Sequence, residues 1–238
     1  MPGQKHNGDN QQFPKRVDQL GDVVSDIDQE IEWWLERGVG PWLKLGPETI
    51  DHTEYLGKPV KPRVGLAFSQ IGGVQLEMIQ PFNDQPSPYR DFLASGKSRF
   101  HHCAFYVASD YQKVLADSVA AGEEVQMKMW FGGAQYTYLS LRMPMDPLSQ
   151  EIHMDGVDQR KNAAVREWIA SSSQQVCHIA ELIEFKPMIR WLFGKVTEAA
   201  VDWDGKTEPV RRIMPPALEK AAAAQQKLDS FVRWFKER

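Results

Sequence analysis

Phe100-His101-His102-Cys103-Ala104-Phe105-Tyr106-Val107 is an apolar, aromatic-rich run that reads as a strand, and the Ser109-Asp110 that follows can cap a helix reaching Ala121-Gly122. Strands are expected next at 125–130, 135–141 and 149–154, with Gly132-Gly133 as the middle turn. The same order stands earlier in the chain. Val17-Asp18-Gln19-Leu20-Gly21-Asp22-Val23-Val24 has strand-like spacing, Ser25-Asp26 supplies a cap, and Ile27, Ile31, Trp34 and Leu35 fall on one helical face. Gly38-Val39-Gly40-Pro41 ends that helix, and strands are expected at 42–45, 63–69 and 74–80, the last two joined by Gly72-Gly73. Laying Gln19 on His102 also sets Val24 on Val107 and brings Gly38 within one residue of Gly122. A strand–helix–three-strand unit therefore occurs twice.

The fold class expected is α+β: two pseudo-symmetric βαβββ units, 16–81 and 98–155, forming one curved sheet with a cleft and followed by a C-terminal helical extension. A loose polar tail covers 1–15, the duplicated domain 16–155 and the extension 156–238. Helices are expected in the extension at 159–171, 174–200 and 217–237. Between the units, Phe82-Asn83-Asp84-Gln85-Pro86-Ser87-Pro88-Tyr89-Arg90 is dense in turn formers, and a short helix is expected at 89–94. The extension reads as a packing or dimerisation element, or as a lid over the cleft.

Bulk composition narrows the classes. Of 238 residues, 42% are hydrophobic and 25% charged, which suits a water-soluble core. A net charge of −4 gives no electrostatic footprint for nucleic acid. Apolar runs break well before the roughly 18 residues of a membrane span, and the polar segment 1–12 has no apolar core of a secretory signal. The two cysteines, Cys103 and Cys177, lack metal-type spacing, so no disulfide framework is expected and a cytoplasmic location is the default.

One polar residue on the inner face of an apolar strand is informative, because alternate side chains leave a strand on opposite faces. Gln19 and His102 lie in the first strand of each unit, Glu77 and Glu151 in the last. If the units pack as mates, these four converge. One imidazole, one amide oxygen and two carboxylates suit a divalent ion such as zinc, manganese, cobalt, nickel or iron. Strand alternation puts His101 on the face opposite His102, in a structural or surface role, and lets His153 share a face with Glu151. Arg90 and Arg142 are possible anion contacts; Trp130 and Phe131 are candidate pocket walls.

With those motifs the sequence resembles the vicinal oxygen chelate superfamily, which contains glyoxalase I, methylmalonyl-CoA epimerase, extradiol dioxygenases and bleomycin-resistance proteins. The resemblance spans 16–155 and rests on Gln19-Leu20-Gly21-Asp22-Val23-Val24-Ser25-Asp26-Ile27-Asp28, Val74-Gln75-Leu76-Glu77-Met78-Ile79-Gln80-Pro81, Ser87-Pro88-Tyr89-Arg90-Asp91-Phe92-Leu93, His101-His102-Cys103-Ala104-Phe105 and Gln150-Glu151-Ile152. It implies metal ligands at Gln19, Glu77, His102 and Glu151. Gln19 departs from the histidine of the epimerase pattern but matches one glyoxalase I branch. It also implies a metal-dependent isomerase, epimerase or lyase that abstracts a proton next to a carbonyl through a metal-chelated enolate. Glu151 is then the first choice of base and Glu77 the second. A small-molecule substrate and a homodimer are implied as well. Two rival functions are a non-catalytic small-molecule binding protein of the same fold and an extradiol-type iron dioxygenase, the latter disfavoured because Gln19 replaces one of its two histidines.

Overall fold

The computed structural model of the chain describes residues 14, 16–141 and 178–213. Among them the elements run β1 (Gln19–Val23), α1 (Ile27–Leu35), β2 (Trp42–Thr49), β3 (His52–Tyr55), β4 (Lys58–Val60), β5 (Arg63–Ile71), β6 (Val74–Pro81), α2 (Pro88–Ala94), β7 (Arg99–Val107), α3 (Tyr111–Ala120), β8 (Glu124–Phe131), β9 (Ala134–Leu141), β10 (His178–Glu184), α4 (Pro187–Ala200) and β11 (Val210–Arg212). The strands form one mixed sheet in the order β11-β2-β5-β6-β1-β7-β10-β9-β8-β3-β4. The duplication is visible in that order, since β2-β5-β6-β1 is repeated in reverse as β7-β10-β9-β8. The halves meet where β1 runs antiparallel to β7, and in each half the first strand runs parallel to the last, β1 with β6 and β7 with β10.

Local chemistry accounts for most of these elements. Asp26 caps α1 by accepting hydrogen bonds from the Asp28 and Gln29 amides. Gly132 and Gly133, at φ of 60° and 75°, supply the left-handed pair that a two-residue turn between β8 and β9 needs. On the convex face, α1 covers Val24, Trp42, Ala67 and Met78, and α3 covers Phe105, Leu139 and Leu182. The concave face holds the largest core cluster, including Phe68, Ile79, Met127 and Tyr138.

Three features differ from the sequence expectation. The place in the sheet next to β7 and β9, expected for residues 149–154, is taken by β10; residues 149–154 lie outside the described residues, as do the helices expected at 159–171 and 217–237. Residues 178–184 belong to a strand and not to the expected 174–200 helix, which begins only at Pro187. A seven-residue stretch with apolar residues at 179, 180, 182 and 183 fits either structure locally, and here pairing on both edges decides it. The β3–β4 hairpin, unforeseen, leaves the first unit and pairs with β8 of the second, His52 opposite Trp130. It extends the curved sheet from one unit onto the edge of the other without closing a barrel.

The remaining expected helix of the extension, α4, lies over the concave face. Ile189, Leu192, Phe193 and Val196, spaced for one helical face, are buried there. Phe193 meets Phe68 at 5.7 Å and stacks on Tyr106 at 5.0 Å between ring centres. Of the extension, read as a packing or dimerisation element or a lid, the helix α4 packs over the cleft.

Candidate metal centre

Two rows of paired residues cross the concave face. Gln75, Gln19, Ala104 and Glu181 form one, and Glu77, Gly21, His102 and Ile179 the next. The duplication equates Gln19 with His102, Gly21 with Ala104 and Glu77 with Glu181. Small residues at Gly21 and Ala104 leave room at the seam between units. A Cβ on Gly21 would stand 1.9 Å from Cε1 of His102, so the imidazole occupies the volume that glycine leaves open.

His102 is fully buried, and its Nε2 lies 3.2 Å from Glu181 Oε2 and 3.5 Å from Glu77 Oε2. All three ligand atoms fall within 4.8 Å of one another. Neither carboxylate is aligned to accept a hydrogen bond from the ring: His102 Nε2 and Glu181 Oε2 are buried without a hydrogen-bond partner. Donors held about 2.0–2.2 Å from one ion stand roughly 3.0–3.6 Å apart, which is the spacing of the imidazole to both carboxylates. Two buried carboxylates are costly unless a cation compensates them. The group therefore fits a divalent metal, whose charge would take the place of the His102 proton that otherwise faces the two carboxylates.

Gln19 adds a buried donor on the neighbouring row. Its Nε2 donates to Gln75 Oε1 at 2.7 Å, and the Tyr106 hydroxyl donates to that oxygen at 3.1 Å. The amide is thereby oriented with its oxygen, the atom that could ligate, buried and unpartnered. Glu151 lies outside the described residues, as do Arg142 and His153. Glu181, in the strand paired with β7, was not anticipated, although a signal existed: Glu181-Leu182-Ile183-Glu184 repeats the pattern of Glu77-Met78-Ile79-Gln80. Arg90 pairs with Asp84 on the surface.

His101 departs from its expected face. Gly21 pairs with His102 but Asp22 pairs with Phe100, so His101 is the extra residue of a β-bulge and its side chain turns inward beside His102. It is buried, with its Nδ1 3.0 Å from His102 Nδ1 and its ring against Phe92 and Tyr89. Electrostatics separate the two histidines. Burial, aided by the neighbouring His102, holds His101 well below the usual imidazole range. Burial also opposes charge on His102, but the Glu181 and Glu77 carboxylates outweigh it and raise His102. The Glu77 carboxyl is pushed up by burial and by Glu181, against the pull of His102.

The carboxylates border a cavity whose walls are otherwise apolar or aromatic. It runs past Tyr89 and Tyr138 to Phe131 and Ile183 and ends under Leu192 and Phe193 of α4. Phe131 is thus the one expected wall residue that lines it; Trp130 is exposed. Neither lysine nor arginine is among the described residues lining it. Tyr138 lies over His102 at 5.0 Å and accepts a hydrogen bond from the Tyr89 hydroxyl at 3.1 Å.

A duplicated βαβββ sheet with two carboxylates and an imidazole converging at its seam defines the class: two mated half-sheets sharing one candidate metal centre. The chain belongs to the glyoxalase/bleomycin resistance protein/dioxygenase superfamily, whose family model matches residues 18–139. Among solved structures it is similar to a hypothetical protein BH1468 from Bacillus halodurans C-125, with 16% identity, TM-score 0.41, and coverage of 72% of this chain and 94% of that one. Two others are a methylmalonyl-CoA epimerase in complex with methylmalonyl-CoA and NH4+ (18% identity, TM-score 0.37, 72% and 95% covered) and the methylmalonyl-CoA epimerase of Mycobacterium tuberculosis (15%, 0.39, 74% and 93%). No curated protein matches the chain. Among the described residues no helix is long and apolar enough to cross a membrane.

Proposed function

We propose that this chain is a metal-dependent isomerase, epimerase or lyase that removes a proton next to a carbonyl group. The observation that carries this proposal is the convergence of His102 Nε2, Glu77 Oε2 and Glu181 Oε2, close but not hydrogen-bonded, in a buried site. These three residues would hold the ion, with the oriented amide oxygen of Gln19 as a fourth donor. When bound, a divalent ion supplies a Lewis acid that offsets negative charge developing on a carbonyl oxygen. The chain's own residues do the rest. Both carboxylates border the cavity, so both can take up and return a substrate proton. The walls and the α4 roof exclude water around the reacting group. With no lysine or arginine among the described lining residues, they suit an uncharged, largely apolar substrate body.

Metal content of the purified protein, followed by titration of the stripped protein with zinc, manganese, cobalt and nickel, tests the ion. Solvent-deuterium exchange into the α-carbon of a panel of small carbonyl compounds tests the reaction. Binding of one ion per chain, exchange with wild type, and its loss in Glu77→Gln or Glu181→Gln are expected. Metal binding without exchange for any compound would instead indicate a binding protein of the same fold, and no binding at all would remove the proposal.

A further inference from the structure

His101 takes no part in the chemistry above, yet the bulge in β7 turns it inward and sets its Nδ1 3.0 Å from Nδ1 of His102. A hydrogen bond between two imidazole nitrogens needs one proton and one lone pair. If His102 is to offer the Nε2 lone pair to a cation, its proton must sit on Nδ1, and Nδ1 must then donate. His101 Nδ1 faces it and has to accept. The opposite arrangement, with His101 donating, would leave the His102 proton on Nε2, pointing between Glu77 and Glu181 and blocking the ion.

We propose that His101 is a positioning residue, an imidazole that accepts the His102 Nδ1–H and so fixes the tautomer and ring plane with which His102 meets the metal. This rests on the metal-site proposal and extends it to a residue that ligates nothing. Ligating histidines usually donate that N–H to a carboxylate or a backbone carbonyl; here a second imidazole accepts it. It can because the extra residue of the bulge puts adjacent side chains on one face, which a regular strand forbids. The acceptor is held in place by its surroundings: Phe92 lies edge-on to the His101 ring at 5.0 Å, with Tyr89 at 5.9 Å and Tyr138 at 6.2 Å. With Nδ1 engaged, the proton of His101 belongs on Nε2.

Two variants and one spectrum test this. His101→Asn keeps an acceptor oxygen where Nδ1 stands, whereas His101→Phe keeps an aromatic ring and removes the acceptor. Zinc and cobalt affinities are measured by chelator competition, and the histidine tautomers by long-range 1H–15N spectra of the wild type, zinc-free and zinc-loaded. We expect zinc affinity to fall roughly 10–100-fold in His101→Phe and to recover to within a few-fold of wild type in His101→Asn. In wild type, His101 should carry its proton on Nε2 in both states. Wild-type affinity in His101→Phe, or a proton on His101 Nδ1, would overturn the proposal. Should the wild type bind no metal, the metal-site proposal fails by itself, and the zinc-free spectrum still decides whether His101 is the acceptor. Should His101→Phe not fold, the spectrum and His101→Asn decide.

Discussion

Gly21→Ala probes the seam of the sheet directly. The backbone tolerates it, since Gly21 does not have the positive φ that glycine alone adopts readily. The obstacle is the ring of His102, whose Cε1, Nε2 and Nδ1 would lie 1.9, 2.2 and 2.4 Å from the new Cβ. To regain an ordinary separation of 3.4 Å the imidazole must retreat by about 1.5 Å, into Tyr138 on one side or the carboxylates on the other. Overpacking of a well-filled core costs typically about 1–3 kcal/mol, which lowers Tm by roughly 2–4 °C per kcal/mol in a protein of this size. Metal affinity should fall by at least the roughly 10–100-fold seen when a ligand loses its orientation. Urea unfolding of wild type, Gly21→Ala, His102→Ala and the double variant isolates the contact. With the ring gone the extra methyl fits, so the penalty of Gly21→Ala should vanish in the His102→Ala background, a coupling of about 1–3 kcal/mol. An equal penalty in both backgrounds would refute the packing account, and it would do so whether or not any metal binds.

Metal-free protein should lose stability as pH rises from 7 to 9. The unfolded state releases the His102 proton near 6.5, while the folded state, with its pKa raised to about 9, retains it; the native state therefore binds more protons over that window, and a loss of the order of 2 kcal/mol follows. Zinc should reverse the trend, because binding expels that proton and tightens as pH rises; denaturant titrations at pH 7, 8 and 9 with and without zinc measure both. Phe193→Ala removes the α4 ring stacked on Tyr106 and should cost about 3–5 kcal/mol, with increased uptake of a hydrophobic dye as the cleft opens; an unchanged urea midpoint would mean that α4 does not hold the roof. Asp26→Ala should cost about 1 kcal/mol through the lost cap of α1, read as a lowered thermal midpoint with zinc affinity unchanged.

Much of the candidate site was legible without coordinates. Gln19, His102 and Glu77 stand out as polar residues on apolar strands at corresponding places in two repeats, and the sheet brings their strands together as that correspondence implies. Caps and turns were legible too, because Asp26 and Gly132-Gly133 act within a few residues of themselves. Glu181 was harder to see. The strand run around it fits a helix equally well over seven residues, and a nearer glutamate, Glu151, follows the expected 135–141 strand more closely in sequence.

What the chain's order of residues determined by itself is the duplicated unit, the alternation that aims ligands at one face, and the local punctuation of helices and hairpins. All of these are set by interactions within about ten residues. Only the tertiary structure decided that β10 fills the place beside β7, that β3–β4 crosses to β8, that α4 roofs the cleft and that His101 turns inward. Each of those depends on which distant edge or face a segment finds, and that choice rests on pairing and burial between residues far apart in the chain, which no local window contains.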